Sequence, residues 1–208
     1  QAIAGGRGHF DVYGSPQDIA DVMEEWFRGG AADGFNIMPP VMPGGLEDFV
    51  EPILKKLSDE LDAAAHFAVL DNNETVCLGS MFSQKMLGFY ISIGARHPAY
   101  AGSLGKILLS GLSEEKLDEY IAAIPLEAHT PETVTKPAAL RREIAEVKRL
   151  GYALNRGEFN AGIIGVAIPV HTKNGAVAGA VNVNWISVHP MKPAEIKRCL
   201  GPLQQAAK

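Results

Sequence analysis

Apolar residues recur at helical spacing twice near the N-terminus, with a short apolar run between the two stretches. Ser15-Pro16-Gln17-Asp18 is typical of a helix start, with Ser as the cap and Pro at the first helical position. This helix is predicted to end at Gly29-Gly30. A strand is predicted at 34–38, stopped by Pro39-Pro40, and a second helix begins at Gly44-Gly45. Helix, strand, helix is the order of one unit of a parallel α/β fold.

The rest of the chain has a different pattern, in which short apolar strands are mixed with helices. Two hairpins are predicted, one with strands at 66–70 and 75–79 and one with strands at 163–170 and 176–184. A further strand is predicted at 89–93. Helices are predicted from about Ser103, after a Ser113 cap, over 137–150 up to Gly151, and from about Lys192. Hairpins with interspersed helices predict an α+β domain built on an antiparallel sheet flanked by helices.

The stretch YAGSLGKILLSGLSEEKL, Tyr100 to Leu117, raises the question of phosphate binding. A Walker-type loop needs a Gly five residues before its Gly-Lys pair and a Ser or Thr directly after it. Tyr100 and Ile107 occupy those two positions, so an ATPase is excluded. Free N–H groups at a helix start can still bind another kind of anion.

Composition and charge are those of an ordinary globular protein, at 47% hydrophobic and 21% charged residues. No apolar run approaches the roughly 18 residues of a membrane span, and no signal peptide is recognisable. Cys77 and Cys199 are far apart, which suits a reducing cytoplasm. The net charge is −5 and no dense stripe of Lys and Arg occurs, so this chain alone is not expected to contact nucleic acid. A start at Gln1 rather than Met is typical of a piece of a longer protein.

The segment of about residues 51–208 resembles the effector-binding domain of IclR-type bacterial transcriptional regulators. The resemblance depends on several motifs in order: Ala68–Asp71, Ile93–Ala101, Ser103–Leu109, Leu150–Leu154, Gly162-Ile163, Ala167–Val170 and 178–183. It implies a GAF-like sensor domain that binds small organic acids and assembles as dimers or tetramers. The winged helix-turn-helix of that family has no counterpart in these residues, which is a second reason to expect no DNA contact from this chain.

The segment of about residues 1–50 resembles the C-terminal tail of luciferase-like flavin monooxygenases of the nitrilotriacetate and dibenzothiophene-sulfone type. The matching stretches are 14–17, 30–40 and 43–50. One helix-strand-helix unit cannot close a barrel, so no flavin or other cofactor is expected. The predicted domains are therefore a monooxygenase-tail-like extension, 1–50, and an effector-binding domain, 51–208.

The resemblance implies an effector site at the loop that contains Gly102, Ser103 and Leu104. The amides of this loop would hold a carboxylate rather than a phosphate. The alternative is an ordinary helix start whose N–H groups meet water or a neighbouring side chain.

Two asparagines predict further polar contacts with the effector. Asn182 and Asn184 lie two apart in an apolar strand, so both face the same side of the sheet. If that face is buried, each amide needs partners, and a polar ligand would supply them. The alternative is that both face water. The resemblance adds Asn155, at a position where the family often has an acid.

The apolar walls of the site are predicted from the same resemblance. Met86, Phe89 and Ile163 would line it, although plain core residues are nearly as good an interpretation. Gly165 would leave room for a bulkier ligand, such as an aromatic acid. The six histidines have no metal-ligand spacing, and no catalytic constellation is recognisable, so no metal site and no enzyme activity are expected.

Three functional hypotheses follow. The first is a cytoplasmic ligand-sensing module of a transcriptional regulator, with a small carboxylate as effector and a homodimer or tetramer as assembly. The second is a fragment of a bifunctional flavin-dependent monooxygenase whose C-terminal domain senses or docks substrate. The third is an oligomerisation module with a vestigial pocket.

Overall fold

The chain forms two compact units, residues 1–40 and 41–208. The computed structural model describes residues 3–5, 9–11, 21, 24–25, 28–29, 44–82, 91–187 and 189–207. In the smaller unit, strands β1 (Ile3–Gly5) and β2 (His9–Asp11) pair antiparallel. This hairpin is not predicted by the sequence, because three residues a strand are too few to show an alternating pattern.

Part of the N-terminal helix-strand-helix prediction can be compared with the structure. Asp21, Glu24, Glu25 and Arg28 are helical, in agreement with the first predicted helix. The predicted strand at 34–38 lies outside the described residues. The second helix, α1 (Gly44–Leu61), begins where the sequence predicts, and it belongs to the larger unit. The division between the units thus lies about ten residues before the predicted domain boundary.

Among its described residues, the larger unit is built on a six-stranded sheet in which every neighbouring pair is antiparallel, with the order β5-β4-β3-β8-β7-β6. The strands are β3 (Ala64–Asp71), β4 (Glu74–Met81), β5 (Arg96–Pro98), β6 (Ala153–Arg156), β7 (Ile163–His171) and β8 (Val177–Ile186). Both predicted hairpins are confirmed, as β3–β4 and β7–β8.

The strand predicted at 89–93 is wrong over its described part. Residues 91–93 have no strand pairing. Gly94 has a φ of +83°, a conformation that glycine adopts without strain, and its N–H donates to the Cys77 carbonyl at 2.7 Å. The chain turns there and pairs with β4 only as the short strand β5.

Four helices complete the larger unit after β5: α2 (Ser103–Ser110), α3 (Glu114–Ala123), α4 (Pro137–Leu150) and α5 (Pro193–Ala206). Their predicted ends are confirmed by geometry. The Ser113 hydroxyl accepts from the Lys116 N–H at 3.3 Å at the start of α3. Gly151 ends α4 with a φ of +74°.

The two faces of the sheet are packed differently. Branched residues cover one face, including Val166, Val181 and Val183, and contact helices α1 and α5. The other face is lined by alanines, among them Ala68, Ala167 and Ala180, and contacts helices α2 and α4. Small side chains let the backbone of α2 lie close to the sheet.

The loop before α2 is also tightly packed. A Cβ atom on Gly105 would lie 2.0 Å from the Ala99 carbonyl oxygen, in the 3₁₀ turn Ala99–Ala101 that precedes the helix. Glycine at position 105 therefore allows this turn to fold back against the first turn of α2.

Lys106, the lysine of the Gly-Lys pair, points into the protein interior. Its side chain is 1% exposed, and Nζ lies 2.7 Å from Glu158 Oε1 and 2.7 Å from Glu143 Oε2. The Glu158 contact also has hydrogen-bond geometry. Glu158 Oε2 in turn accepts from the Arg156 N–H at 2.6 Å. These contacts join α2 to α4 and to the turn after β6.

We expect Lys106→Met to lower the free energy of unfolding by about 3–5 kcal/mol, because it leaves the buried Glu158 carboxylate without its cation. Adding Glu158→Gln should recover part of the loss. Urea denaturation monitored by circular dichroism measures both changes.

Lys55→Met is the control, because Lys55 pairs with Asp59 on the exposed side of α1. Its effect should stay within about 0.5 kcal/mol. Equal effects of the two lysine substitutions would contradict the importance of the buried ion pairs.

Candidate functional site

A cavity lies between the start of α2 and the alanine-lined face of the sheet; it is named here the α2 cavity. The empty space between its lining atoms, with the open solvent at its mouth included, is about 490 Å³. Its lining residues are Thr75, Ile91, His97, Pro98, Ala101, Gly102, Ser103, Leu104, Gly105, Asn155, Phe159, Asn160, Ile163, Asn182 and Asn184.

The structure brings most of the predicted site residues together. Seven of the ten line the α2 cavity, namely Gly102, Ser103, Leu104, Asn155, Ile163, Asn182 and Asn184. Met86 and Phe89 lie outside the described residues. Most of the residues that the sequence analysis assigned to the effector site therefore lie together around the α2 cavity.

Gly165 requires a correction. It pairs with Asn184 across β7 and β8 and does not line the cavity among the described residues. A Cβ atom at this position would lie 2.0 Å from Asn184 Oδ1 and 2.3 Å from the Val183 carbonyl oxygen. The space beside Gly165 is filled by Asn184, so the inference that Gly165 leaves room for a larger ligand is wrong.

The first turn of α2 forms one wall of the cavity. Gly102 is the N-cap residue, with an extended backbone, and the N–H groups of Ser103 and Leu104 begin the helix. First-turn N–H groups have no acceptor within their own helix. The Ser103 hydroxyl is buried, and no hydrogen-bond partner for it is found among the described residues. This wall therefore presents two backbone N–H donors and one hydroxyl group to the cavity.

The turn before this wall is held by two tyrosines. The Tyr100 N–H donates to the Tyr120 hydroxyl at 3.1 Å. The Tyr100 hydroxyl donates to the Glu127 carbonyl at 3.1 Å and accepts from the Glu127 N–H at 3.0 Å. These bonds fix the backbone from which α2 begins.

At the floor of the cavity, Asn182 and Asn184 form a buried polar group with His66, which is not itself a lining residue. All three are at most 2% exposed, so the alternative that the asparagines face water is wrong. His66 Nδ1 lies 3.0 Å from Asn182 Oδ1. Burial lowers the pKa of His66 to about 4, which leaves the ring neutral at pH 7. Because Asn182 Oδ1 can only accept, His66 Nδ1 carries the proton and donates.

Asn184 is not satisfied by this group. Its Nδ2 lies 3.5 Å from His66 Nδ1, but that nitrogen carries the proton donated to Asn182 and cannot accept from the amide. Its Oδ1 is buried, and the part of the chain that the structure describes offers it no partner. Both polar groups of the Asn184 amide therefore remain for a ligand.

Sequence reasoning missed three polar lining residues, of which Thr75 and His97 are the most buried. They are direct partners across β4 and β5. Thr75 Oγ1 and His97 Nδ1 are both buried without a hydrogen-bond partner in the described ranges. These two residues could not be assigned to the site from the sequence, because their pairing depends on β5, and β5 is too short to be recognised as a strand.

His97 is held by an aromatic contact. Its ring meets Phe159 edge-on, with the centroids 4.7 Å apart. Burial lowers the pKa of His97, and the charge of Glu74 opposes that shift in part. The imidazole is therefore neutral at pH 7.

Asn155 contributes to the opposite wall. Its Oδ1 accepts from the Gly157 N–H at 3.1 Å and so shapes the turn that carries Phe159 and Asn160. Its carbonyl oxygen is thereby used within the protein, which leaves its amide nitrogen as the group available for a ligand.

The chemistry of the cavity is that of binding. Four buried polar atoms of its lining lack partners among the described residues, and leaving each without one costs about 1–3 kcal/mol. A ligand with polar groups would recover that cost. The described residues contain no group of three or more His, Cys, Asp or Glu that could hold a metal ion. Within them, no helix is long and apolar enough to cross a membrane.

Comparison with known proteins places this fold among regulators. The family model described as the C-terminal domain of the bacterial transcriptional regulator IclR matches residues 45–208. The Pca regulon regulatory protein of Pseudomonas putida is 31% identical over 158 residues, which cover 76% of this chain and 54% of that protein. The chain spans about half the length of the curated relatives it matches.

Solved structures agree with this assignment. The inducer-binding domain of the PobR transcription factor from Acinetobacter was solved as a double mutant in complex with 3-hydroxybenzoic acid. It is 27% identical, with a TM-score of 0.70 over 77% of this chain and 94% of that one. The IclR protein of Thermotoga maritima has a TM-score of 0.73 over 99% of this chain and 76% of that one; at 20% identity it shows the common fold.

We expect the buried His66 to make the protein less stable in acid. Its folded-state pKa, about 4, is below the ordinary value of 6.5, so the unfolded chain binds the proton first. The stabilising contribution is present above about pH 6.5 and is lost as the pH falls toward 4. Between pH 7 and pH 5 the free energy of unfolding should fall by about 2 kcal/mol more in the wild type than in His66→Gln.

Urea denaturation at the two pH values measures this difference. His171→Gln, at an exposed position, is the control and should keep the wild-type dependence. A His66→Gln variant that loses as much stability as the wild type would rule out this role for His66.

Proposed function

This chain belongs to the IclR family of bacterial transcriptional regulators and contains their effector-binding C-terminal domain, and from that membership we propose that its α2 cavity binds a small aromatic carboxylate. The observation that carries the proposal is the buried Ser103 hydroxyl, which lacks a partner among the described residues, at a helix start that opens into the cavity. The proposed role is that of a sensor and not of an enzyme.

The carboxylate would be held by the first turn of α2. The N–H groups of Ser103 and Leu104 and the Ser103 hydroxyl can all donate to it. Backbone N–H groups and the helix dipole favour a negative charge at this end of a helix. Lys106 contributes no free charge, because Glu143 and Glu158 neutralise it. Recognition of the anion therefore depends on backbone and hydroxyl donors.

The rest of the effector would meet both polar and apolar groups. Asn184 and Asn155 would contact its polar substituents, with Asn182 positioned through His66. Leu104, Ile163 and Phe159 would pack against its apolar body. Met86 and Phe89 remain predicted contacts. The argument for an aromatic acid now depends on these apolar walls and on the 3-hydroxybenzoic acid bound by the related PobR domain, and no longer on Gly165.

The wider role is proposed from the family. Since the chain spans about half the length of its curated relatives, regulation of transcription by the whole protein, in the cytoplasm and in response to the bound acid, is part of this proposal. The relatives named above are regulators, which favours the sensor over the monooxygenase hypothesis. The resemblance of residues 1–50 to a monooxygenase tail stays a prediction and plays no part in the proposal.

We expect the protein to be a homodimer or tetramer, as the family resemblance implies. Light scattering coupled to size-exclusion chromatography should give a multiple of 22.2 kDa at micromolar concentration. A single species at the mass of one chain would contradict this expectation.

We expect benzoate or a hydroxybenzoate to raise the melting temperature and to bind measurably in calorimetry. At 100 times its dissociation constant, a ligand stabilises the folded state by about 2.7 kcal/mol. Ser103→Ala should weaken binding about tenfold or more, because it removes a hydrogen bond to a charged group.

Asn73→Gly is the matched control, since Asn73 is exposed in the β3–β4 turn with a φ of +71°, which glycine also adopts. It should bind as the wild type does. If pyruvate or glyoxylate binds and no aromatic acid does, the ligand class is wrong. If no acid binds, the cavity is vestigial and the oligomerisation hypothesis takes its place.

A further inference from the structure

We propose that Thr75 and His97 form a second polar subsite in the α2 cavity, and that this subsite binds a hydroxyl group on the apolar body of the effector. The inference rests on the proposed function of the cavity. It adds the residues that decide which acid is selected. Neither residue belongs to the carboxylate-binding turn of α2.

The geometry of the pair supports a shared ligand group. Thr75 and His97 are opposite each other on β4 and β5, and both line the cavity. Thr75 is only 6% exposed. Directly opposite residues in an antiparallel pair have Cβ atoms about 4.5–5.5 Å apart, so one small group can reach both side chains. Thr75 Oγ1 and His97 Nδ1 are buried and lack hydrogen-bond partners among the described residues.

The protonation of His97 selects a hydroxyl group. A neutral imidazole has one donor and one acceptor nitrogen, and a threonine hydroxyl can donate or accept. With the proton on Nε2, a ligand hydroxyl donates to His97 Nδ1 and accepts from Thr75 Oγ1. One group then satisfies both buried atoms. A methyl group or a bare ring edge would satisfy neither.

The surroundings of His97 keep it neutral. Glu74 is the acid whose charge opposes the lowering of the His97 pKa, and Arg96 pairs with its carboxylate, with NH1 3.2 Å from Oε2. Asp71 also pairs with Arg96. His66, whose pKa burial lowers to about 4, is neutral near pH 7 and places no positive charge near His97. A second carboxylate at this subsite would need two donors and would lie close to Glu74.

The position of the subsite suits a substituted ring. In the sheet order, Thr75 on β4 is two strands away from Asn184 on β8. Strands are about 4.8 Å apart, so the two groups are separated by roughly 10 Å across the floor of the cavity. An aromatic ring with polar groups at two of its positions spans a comparable length. The cavity thus presents polar groups on both sides of its apolar walls.

Isothermal titration calorimetry with benzoate, 3-hydroxybenzoate and 4-hydroxybenzoate tests the proposal. We expect the wild type to bind one of the hydroxybenzoates about tenfold more tightly than benzoate, which is the contribution of one to two hydrogen bonds. Thr75→Val keeps the shape of the side chain and removes its hydroxyl. It should reduce that ratio to about two or less, mainly through weaker binding of the hydroxybenzoate. Thr75→Ser retains a hydroxyl and should restore the preference.

Ser103→Ala is the matched comparison, because it acts on the carboxylate end. It should weaken benzoate and the hydroxybenzoate by the same factor and leave their ratio unchanged. If no benzoate binds to the wild type, the proposed function fails. If benzoate and both hydroxybenzoates bind equally, or Thr75→Val keeps the preference, the carboxylate site stands and the hydroxyl subsite is wrong. Tighter binding of benzene-1,4-dicarboxylate than of either hydroxybenzoate would likewise overturn the hydroxyl assignment.

Discussion

A single buried positive charge, that of Lys106, constrains most of the structure around the α2 cavity. A buried ammonium group is tolerated only with close carboxylate partners. Those partners come from α4, through Glu143, and from the turn after β6, through Glu158. The same turn is also held by the buried Thr133, whose hydroxyl donates to the Glu158 carbonyl at 2.5 Å. Satisfying this charge therefore fixes two walls of the cavity at once: the first turn of α2 and the turn that carries Phe159.

The sheet explains why a cavity exists at all. The face that contacts α1 and α5 is covered by branched side chains, which fill the space under these two helices. On the alanine-lined face, the small side chains at positions 68, 167 and 180 let α2 approach the sheet closely. Further along the same face, His66, Asn182 and Asn184 take the place of the alanines. The helix that covers this face, α2, begins opposite them with its first turn. The space between that turn and these polar residues is the cavity.

Desolvation then determines what chemistry the cavity offers. Burial keeps His66 and His97 neutral, and Lys106 is neutralised by its two carboxylates. What remains is a set of neutral donors and acceptors and the amides of a helix start. Such a set suits the proposed binding of an anion at the helix start without a free cation, and neutral donors and acceptors favour ligands by the number and position of their hydrogen-bonding groups.

The sequence by itself determined the α+β class, the two hairpins, the helix ends at Ser113 and Gly151, and seven of the residues that line the cavity. These features depend on short-range signals, namely turn residues, caps and alternation, or on motifs in a fixed order. Only the tertiary structure decided the rest. The pairing of Thr75 with His97, the burial of Asn182 and Asn184, and the ion pairs of Lys106 join residues that are distant in sequence. Gly165 is the clearest case: a glycine in a strand is compatible with open space or with a close neighbour, and only the packing of Asn184 against it decides between the two.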